Sequence, residues 1–476
     1  MQNVIIFPNK AYNIIYLNMI NELKKEYKVD VNYPKNGFSY EKSDLNMSLE
    51  NITNNNQEFI TCIHTLINKI EKKLEISIEE IMNFDRHLNR LDFQNEIEYP
   101  SSKINELFRI KANKDLIVEK TIHYFYKYLI EKKPLFLICT PGNFINNIII
   151  TIANFLEIPI YYIFHSRIEA TKTKKVYLSK KYNASTFLFE ERYNTSEIIN
   201  HKPSEKAKSI VSEFLNNPKG MYGVFNFNYK LHVKQFLAYF RNAIIKKDEI
   251  YGYRSLSKSL SHLKLIFKYN IQKKKNIISF NSHNFNNSYI YMPLQQIPEL
   301  TLYMWGKSFS NQTENLKRFS YCIPYNSKLL LREHPNNIGR RPFNYYKKNI
   351  NKDKIILGSI LDSQFEYIKN SSAIITINGT TGWEAILMKK PVFTLSPSFY
   401  DCLGFNYQLK NIEEFMQIFD TVVNKINNIS NEEYYQKIYY FIDTMDKVSY
   451  TEKDINIIIK DIKEDVTKST YTNFWK

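Results

Sequence analysis

A short run of glycine and threonine near residue 380 has the composition of a phosphate-binding turn. An apolar strand is predicted at Ala373–Ile377, after which Gly379 and Gly382 bracket Thr380-Thr381 and a helix is predicted to begin. A helix N-terminus leaves backbone N–H groups free and carries partial positive charge, so it binds phosphate well. The chain has only 11 glycines in 476 residues, so two of them around one turn are informative. The competing interpretation is a plain helix cap, in which threonine caps the helix and glycine turns the chain.

A histidine follows the end of a second predicted strand. Lys328–Arg332 is mostly apolar and runs into Glu333-His334-Pro335, and proline ends the strand. We expect His334 at the carboxyl edge of the sheet, on the same rim as Thr380. A histidine there donates a hydrogen bond to a leaving phosphate or acts as an acid near neutral pH. The competing interpretation is a histidine that satisfies a turn carbonyl.

The elements that position these residues alternate between strands and helices. Strands are predicted at Val4–Phe7, Leu135–Cys139, Ile158–Phe164, Ile277–Phe280, Tyr289–Met292, Lys328–Arg332, Lys354–Leu357, Ala373–Ile377 and Val392–Leu395. Helices are predicted between the later strands, at Ser310–Cys322, Ser363–Lys369 and Gly382–Met388, and again in the tail from Asn431 to Ile462. This order predicts an α/β fold with two Rossmann-like domains. The predicted boundaries are 1–201 for the first domain, 202–276 for a basic helical connector, 277–425 for the second domain and 426–476 for C-terminal helices.

Positive charge is concentrated in the predicted connector. The whole chain carries 65 Lys and Arg against 48 Asp and Glu, a net charge of +17. The segment Tyr229–Lys275 holds twelve basic and two acidic residues, a net of +10, with apolar residues recurring at helical spacing. It is either a solvated basic face of connecting helices or a surface that lies on anionic lipid or a charged polymer.

Cysteine spacing and hydropathy exclude several protein classes. The four cysteines are far apart and form no CxxC pair, so neither a structural zinc site nor a disulfide framework is expected. The N-terminus has no signal-peptide pattern, and polar residues interrupt the longest apolar stretch, Ile148–Phe164. A bilayer span needs about 20 apolar residues. The sequence therefore predicts a cytoplasmic protein without metal or cofactor.

Five segments occur together in an order that resembles a known family. They are Gln295-Gln-Ile-Pro-Glu299, Arg332-Glu-His-Pro, Gly339-Arg-Arg-Pro-Phe, the stretch Thr376-Ile-Asn-Gly-Thr-Thr-Gly-Trp-Glu-Ala, and Lys390-Pro-Val. The set resembles the capsular polysaccharide biosynthesis/export family, which includes cytidine-nucleotide-dependent Kdo transferases. The resemblance covers about Tyr289–Asp401 and extends to the N-terminal half only in outline.

The resemblance implies a glycosyltransferase of the GT-B type. The donor, a nucleotide-sugar of CMP-linked, Kdo-like type, would bind in 277–425, and a glycan or glycolipid acceptor would bind through 1–201. The work would take place at the inner face of the cytoplasmic membrane, which gives the basic connector an anionic partner. No Asp-x-Asp motif lies in a loop suited to Mg²⁺, so metal-independent chemistry is expected.

The resemblance also implies roles for individual residues. His334 and the Thr380-Thr381 pair resemble the donor-phosphate contacts, and Glu384 resembles the glutamate that holds the ribose hydroxyls. An exposed first-turn glutamate favoured by the helix dipole is the competing interpretation of Glu384. The predicted catalytic residues are His334 and Glu299. The predicted donor-binding residues are Gln295, Glu333, His334, Gly379, Thr380, Thr381, Gly382 and Glu384.

The sequence departs from bacterial sialyltransferases that share the His-Pro pattern. Those enzymes carry an acidic pair before a glycine in the N-terminal domain, and this chain has none. Asp85 and Glu169 are the candidate carboxylates, and a surface ion pair is the favoured interpretation of each. Three other functions remain open: glycerol phosphate transfer from a CDP donor, sugar-nucleotide epimerisation, and non-catalytic capsule assembly or export. Nucleic-acid binding is disfavoured because the basic segment lacks a recognised module.

Overall fold

Two β-sheets organise the described part of this computed structural model. The description covers residues 2–7, 13–31, 57–83, 111–141, 144–168, 175–180 and 193–218, single helical positions between 229 and 271, and 289–468 apart from 298, 300, 338–340, 342–344, 350, 352 and 361.

The first sheet belongs to the N-terminal part of the chain. Its strands are β1 (Asn3–Phe7), β2 (Lys28–Val31), β3 (Pro134–Cys139), β4 (Ile160–His165) and β5 (Val176–Ser179), in the order β2-β1-β3-β4-β5. The first four are parallel, and β5 pairs antiparallel with β4. The helices are α1 (Asn13–Leu23), α2 (Gln57–Leu74), α3 (Ile78–Asn83), α4 (Lys111–Lys132), α5 (Phe144–Phe155) and α6 (Glu205–Asn216). Strands β3 and β4 are almost fully buried, as their continuous apolar runs predict.

The second sheet is parallel throughout. Its strands are β6 (Tyr289–Pro293), β7 (Lys328–Arg332), β8 (Ile355–Gly358), β9 (Ala373–Thr376), β10 (Val392–Thr394) and β11 (Asn406–Gln408), in the order β11-β10-β9-β6-β7-β8. The helices between them are α7 (Gln312–Cys322), α8 (Tyr345–Asn349), α9 (Gln364–Asn370) and α10 (Thr380–Leu387). Strands β9, β6 and β7 form the centre of this sheet, so their carboxyl ends lie side by side.

The C-terminal helices join the two sheets. They are α11 (Glu414–Asn428), α12 (Asn431–Lys447) and α13 (Ile455–Lys468). Helix α13 packs against α1, and its Asp465 accepts a hydrogen bond from the Tyr161 hydroxyl of β4 at 2.6 Å. Helix α12 packs against α6 and places Asp446 2.5 Å from the Lys175 ammonium. A single cluster of buried apolar residues therefore runs through the first sheet, one face of the second sheet and the tail.

The predicted fold class is confirmed. Both sheets have the parallel order and intervening helices of Rossmann-like domains, and the tail is helical, although residues 448–454 break it into two helices. Strands β2, β5 and β11 were not expected from the sequence, and the predicted strand Ile277–Phe280 lies outside the described residues. The domain boundaries stay predictions. All four cysteines are free thiols, and none forms the disulfide that their spacing argues against.

Candidate functional site

Three loops meet at the carboxyl edge of the second sheet. Gln295 follows β6, His334 follows β7, and Thr380 follows β9. Neighbouring strands lie about 4.8 Å apart, so His334 and Thr380 are separated by roughly two strand spacings, with the Gln295 loop between them. Ligands of parallel α/β sheets bind outside the carboxyl ends of the strands. The sheet order therefore puts the predicted residues in the expected place, while their roles stay predictions.

The N-terminus of α10 has no side-chain cap. Gly379 is the N-cap residue, and it makes no capping hydrogen bond, while Thr380 and Thr381 are the first two helical residues and are half-buried. The alternative of a threonine cap is therefore wrong for this helix. The N–H of Gly382 donates to Gly379 O at 3.0 Å, and the N–H of Gly379 donates to the Thr376 side chain. The N–H groups of Thr380 and Thr381 are therefore the ones left for an outside acceptor. An anion at this position would satisfy them and meet the positive end of the helix dipole.

Gln295 ties the central loop to both neighbours. Its side-chain amide donates to Thr376 Oγ1 at 3.3 Å, and the same oxygen accepts the Gly379 N–H at 3.2 Å. Its backbone carbonyl accepts from the side chain of Asn337, in the β7 loop, at 2.9 Å. Gln295 thus fixes the spacing between the His334 and Gly379 loops.

The backbone fixes the tautomer of His334. The Asn336 N–H donates to His334 Nδ1 at 3.2 Å, so Nδ1 is an acceptor and the proton of the neutral ring resides on Nε2. The ring is half-buried. This arrangement presents Nε2–H as a donor, which is the form that a developing phosphate charge requires.

Glu333 supports the His334 loop from below. Its carboxylate is buried and accepts from the Arg341 guanidinium at 2.8 Å, the Asn337 amide at 3.1 Å, the Tyr346 hydroxyl and the His334 N–H. Burial alone would raise the pKa of Glu333, but Arg341 and these hydrogen bonds outweigh it and hold the pKa below its usual value. The sequence predicts a donor contact for Glu333. With its lone pairs used internally, the carboxylate is instead a support for the loop, and the buried Arg341 guanidinium is paired with it.

Gly382 is required by packing behind the helix. A Cβ at this position would lie 2.0 Å from the Tyr400 hydroxyl and 2.7 Å from Tyr400 Cζ. Tyr400 is fully buried, and its hydroxyl donates to Gly379 O at 3.3 Å. The glycine thus lets a tyrosine brace the first turn of α10. Packing therefore requires a glycine at 382, and its predicted donor contact stays a prediction, while Gly379 lies on the Gln295 side of the turn.

Glu384 is buried, so the alternative of an exposed first-turn glutamate is wrong. It is 5% exposed and accepts a hydrogen bond from the Gln364 side chain of α9 at 2.9 Å. Burial raises the pKa of Glu384 to about 8, and the nearby Arg332 guanidinium only partly offsets this effect. Glu384 is therefore largely protonated at neutral pH and has both a donor and acceptor atoms for a partner such as a sugar hydroxyl.

Unsatisfied polar atoms surround this glutamate and the α10 turn. Tyr291 OH, Arg332 Nε and Asn378 Oδ1 are buried and form no hydrogen bond of good geometry within the described part of the chain. An unpaired buried polar atom costs free energy comparable to a lost hydrogen bond. A polar ligand that reached these atoms would recover that cost, and sequence reasoning had singled out none of the three.

The remaining predicted residues are less defined. Glu299 is half-buried, and its carbonyl accepts the Tyr303 N–H at 3.2 Å where a π-helical turn, Thr301–Trp305, begins. Asp85 and Glu169 lie outside the described residues. Within the described ranges, no group of three or more His, Cys, Asp or Glu side chains is arranged to hold a metal ion. Metal independence and the absence of a cofactor stay predictions.

Comparison with known families decides the identity of the region that contains the site. Residues 226–426 match the family model described as capsule polysaccharide biosynthesis protein. The predicted resemblance to this family is confirmed for residues 226–426. A curated relative, the capsule polysaccharide export protein KpsS of Escherichia coli, is 30% identical over 108 residues, which is 22% of this chain and 28% of KpsS. The capsule biosynthesis region thus carries all three loops of the site.

Similar solved structures include a Kdo transferase and epimerases. The beta Kdo 2,7 transferase of Thermosulfurimonas dismutans KpsC is 12% identical, covers 66% of this chain and 78% of its own, and has a TM-score of 0.31. The S. aureus MnaA–UDP structure is 13% identical, covers 99% and 98%, and has a TM-score of 0.28. The UDP-GlcNAc 2-epimerase of Neisseria meningitidis is 12% identical, covers 98% and 100%, and has a TM-score of 0.29. Scores of this size carry no information on activity.

Proposed function

We propose that this chain is a glycosyltransferase that moves a sugar from a CMP-linked, Kdo-like donor to a capsular polysaccharide or glycolipid acceptor. The observation that carries the proposal is that the uncapped N-terminus of α10 and the Nε2–H of His334 follow central strands of the same sheet edge, with only the Gln295 loop between them. Together they would form a phosphate site in which the α10 N–H groups bind the phosphate and His334 stabilises the charge that develops on its oxygen. The capsule family match supplies the substrate class.

The geometry divides the work between binding and leaving-group stabilisation. The first turn of α10 would hold the donor phosphate in the ground state, and Glu384 would hold the ribose. When the bond between the anomeric carbon and the phosphate oxygen breaks, the electron pair goes to that oxygen. The Nε2–H of His334 meets the charge that develops there, while the acceptor hydroxyl forms the new bond and loses its proton to a base in the N-terminal domain. Glu299 stays a predicted catalytic residue at the cleft.

The test is nucleotide binding followed by donor hydrolysis. CMP and CDP should raise the melting temperature, since a ligand at 100 times its dissociation constant stabilises the fold by about 2.7 kcal/mol. His334→Ala should lower kcat for hydrolysis of CMP-Kdo by roughly 10²–10⁴ and change KM little, because its contact strengthens only as charge develops. Thr380→Ala and Thr381→Ala should weaken binding instead. His334→Gln, which keeps an N–H donor, should retain part of the rate.

Two results would overturn the proposal. One is full turnover by His334→Ala. The other is a wild-type protein that no nucleotide stabilises. The second result would favour the non-catalytic assembly or export function, since the relative KpsS is named as an export protein.

We also propose that the connector binds an anionic membrane surface at the inner face of the cytoplasmic membrane. The described positions between 229 and 271 are helical, and large apolar side chains there are exposed at helical spacing: Tyr229, Val233, Leu237 and Phe240, then Leu260, Leu263 and Phe267. Basic residues Lys230, Lys234, Arg241 and Lys264 lie beside them in sequence. Exposed apolar residues next to cations are the pattern of helices that lie in a lipid interface. Among the described helices, none is long and apolar enough to cross a bilayer.

Vesicle co-sedimentation tests the membrane proposal. Binding to phosphatidylglycerol vesicles should exceed binding to phosphatidylcholine vesicles and should fall with salt, because each cation near such a surface contributes about 1 kcal/mol. Leu237→Ser with Phe240→Ser should weaken it at any salt concentration. Ile199→Ser, at an 86% exposed apolar position outside the connector, is the matched control. Equal binding by the connector variant and the control would show that these side chains do not enter the lipid.

A further inference from the structure

Arg167 is a half-buried cation at the carboxyl edge of the first sheet. It is the second residue after β4, where the β4–β5 hairpin begins, and the neighbouring Ser166 N–H donates to Lys175 O at 2.9 Å. The next residue, Ile168, is anchored in the core. Among the described residues, none forms an ion pair or hydrogen bond with the Arg167 guanidinium. A half-exposed guanidinium that forms no ion pair is available to bind an anion.

The hairpin that carries Arg167 lies against the second domain near the α10 turn. The ring of Phe164, on β4, contacts Trp305 in the loop after β6 with centroids 6.0 Å apart. The guanidinium of Arg167 is also close to the Tyr400 phenol: burial raises the pKa of Tyr400, and the charge of Arg167 acts against that rise. Because the Tyr400 hydroxyl bonds to Gly379 O, Arg167 lies across the domain boundary from the first turn of α10.

The other described arginines near the site, Arg332 and Arg341, already form hydrogen bonds, and only Arg332 Nε is left over. Arg341 is paired with Glu333, and the Arg332 guanidinium donates to the carbonyls of Ile360 at 3.0 Å and Asp362 at 3.3 Å and lies beside Glu384. Thr380 and Thr381 add hydroxyls but no charge. The phosphate of a CMP-linked donor carries one negative charge and gains a second as CMP departs, whereas the first turn of α10 offers only partial positive charge.

We propose that Arg167 supplies this charge and binds the donor phosphate from the N-terminal domain, opposite the N-terminus of α10. The inference rests on the proposed function and adds a residue that the motifs do not contain. Guanidinium groups bind phosphate through paired, charge-assisted hydrogen bonds. With one contact from each domain, the phosphate joins the two domains, so donor binding favours their closed arrangement.

Comparing a nucleotide with its nucleoside isolates the phosphate contact. Calorimetric titration should give a 10- to 100-fold weaker CMP affinity for Arg167→Ala than for wild type. This fold-change corresponds to the loss of about 1.5–3 kcal/mol, which is the usual contribution of a hydrogen bond to a charged group. The cytidine affinity should stay at the wild-type value. Arg167→Lys should recover part of the CMP affinity. Arg318→Ala is the matched control, since Arg318 forms a surface pair with Glu413 at 2.6 Å.

Each outcome decides a different claim. If Arg167→Ala binds CMP as wild type does while Thr380→Ala binds it more weakly, the Arg167 inference is wrong and the proposed function stands. If Arg167→Ala weakens CMP and cytidine equally, the residue acts through the fold, and melting curves of Arg167→Gln would show the same instability. If the wild type binds no nucleotide, both the proposed function and the inference are overturned.

Discussion

At the scale of single residues, two buried glutamates of the second domain have pKa values that are shifted in opposite directions. Glu333 has the Arg341 guanidinium against its carboxylate, and its pKa lies below the usual value. Glu384 has an amide partner and a more distant arginine, so burial dominates and its pKa rises to about 8. The first glutamate is a fixed charge that holds a loop. The second is a carboxylic acid suited to pairing with hydroxyl groups.

The raised pKa of Glu384 predicts a pH dependence of stability. Between its usual value near 4.5 and about 8, the folded protein keeps the proton that the unfolded chain releases, so stability falls as pH rises. Each pH unit in this window costs roughly 1 kcal/mol. Glu384→Gln, a neutral analogue, should remove this slope.

Urea unfolding at pH 5.5, 6.5 and 7.5 measures the slope. The difference in unfolding free energy between Glu384→Gln and wild type should shift in favour of the variant as pH rises. Glu432→Gln, at an exposed position of α12, is the control for a general loss of one negative charge. Parallel pH profiles for wild type and Glu384→Gln would contradict a protonated Glu384.

At the scale of elements, the sequence predicts the central strands well and the edges poorly. Strands β3, β4, β6 and β9 are continuous apolar runs because helices cover both faces of a parallel sheet. Strand β2 is only partly buried, and β11 has three residues, so neither carries an apolar run. Strand β5 is short and follows a lysine-rich segment, and its antiparallel pairing is set by contact with β4.

Within the site, sequence patterns predict position better than role. The order of strands and turns places His334, Thr380 and Gln295 at one edge. The partner of Glu333 is eight residues away in a loop, and the brace of Gly382 is Tyr400, eighteen residues away. No local periodicity encodes such contacts, so a buried support is indistinguishable from a ligand contact in the sequence. Arg167 was missed for the same reason, because its significance arises from the opposite domain.

The brace of α10 by Tyr400 predicts a large effect of a small substitution. Gly382→Ala places a methyl group 2.0 Å from the Tyr400 hydroxyl, and Tyr400 is enclosed by the core, so either the ring or the helix must move. Overpacking of this kind costs about 1–3 kcal/mol. We expect that loss in urea unfolding, together with weaker CMP binding because the first turn shifts.

A double-mutant cycle identifies the cause. Tyr400→Leu should relieve the contact, so the double variant should lose less stability than the sum of the single changes. Gly379→Ala is the milder control, since its Cβ would meet only the Thr376 hydroxyl at 3.1 Å and the end of Gln295 at 3.3 Å. Additive losses for Gly382→Ala and Tyr400→Leu would mean that Tyr400 does not restrict this position.

At the scale of the whole molecule, the tail makes the two domains one folding unit. Helix α12 packs on the second domain, where Phe441 contacts Trp383 with ring centroids 5.3 Å apart, and α13 continues onto α1 of the first. Ile458 and Ile462 of α13 are completely buried in the cluster that also contains Trp383. Loosening α13 from the first domain should therefore weaken the packing around Trp383.

This connection predicts a single unfolding transition that moves as a whole. Ile458→Ala should cost about 2–5 kcal/mol through the cavity that it leaves. In a variant that keeps Trp383 as its only tryptophan of three, the fluorescence transition in urea should shift by the same free energy as far-UV circular dichroism. Ile457→Ala is the matched control. Ile457 is the next residue in the helix but is 52% exposed, so its truncation should move neither signal. If Ile458→Ala shifts the circular dichroism transition while the Trp383 transition stays in place, the two domains unfold separately. A phosphate held between Arg167 and α10 would then join two independently stable domains.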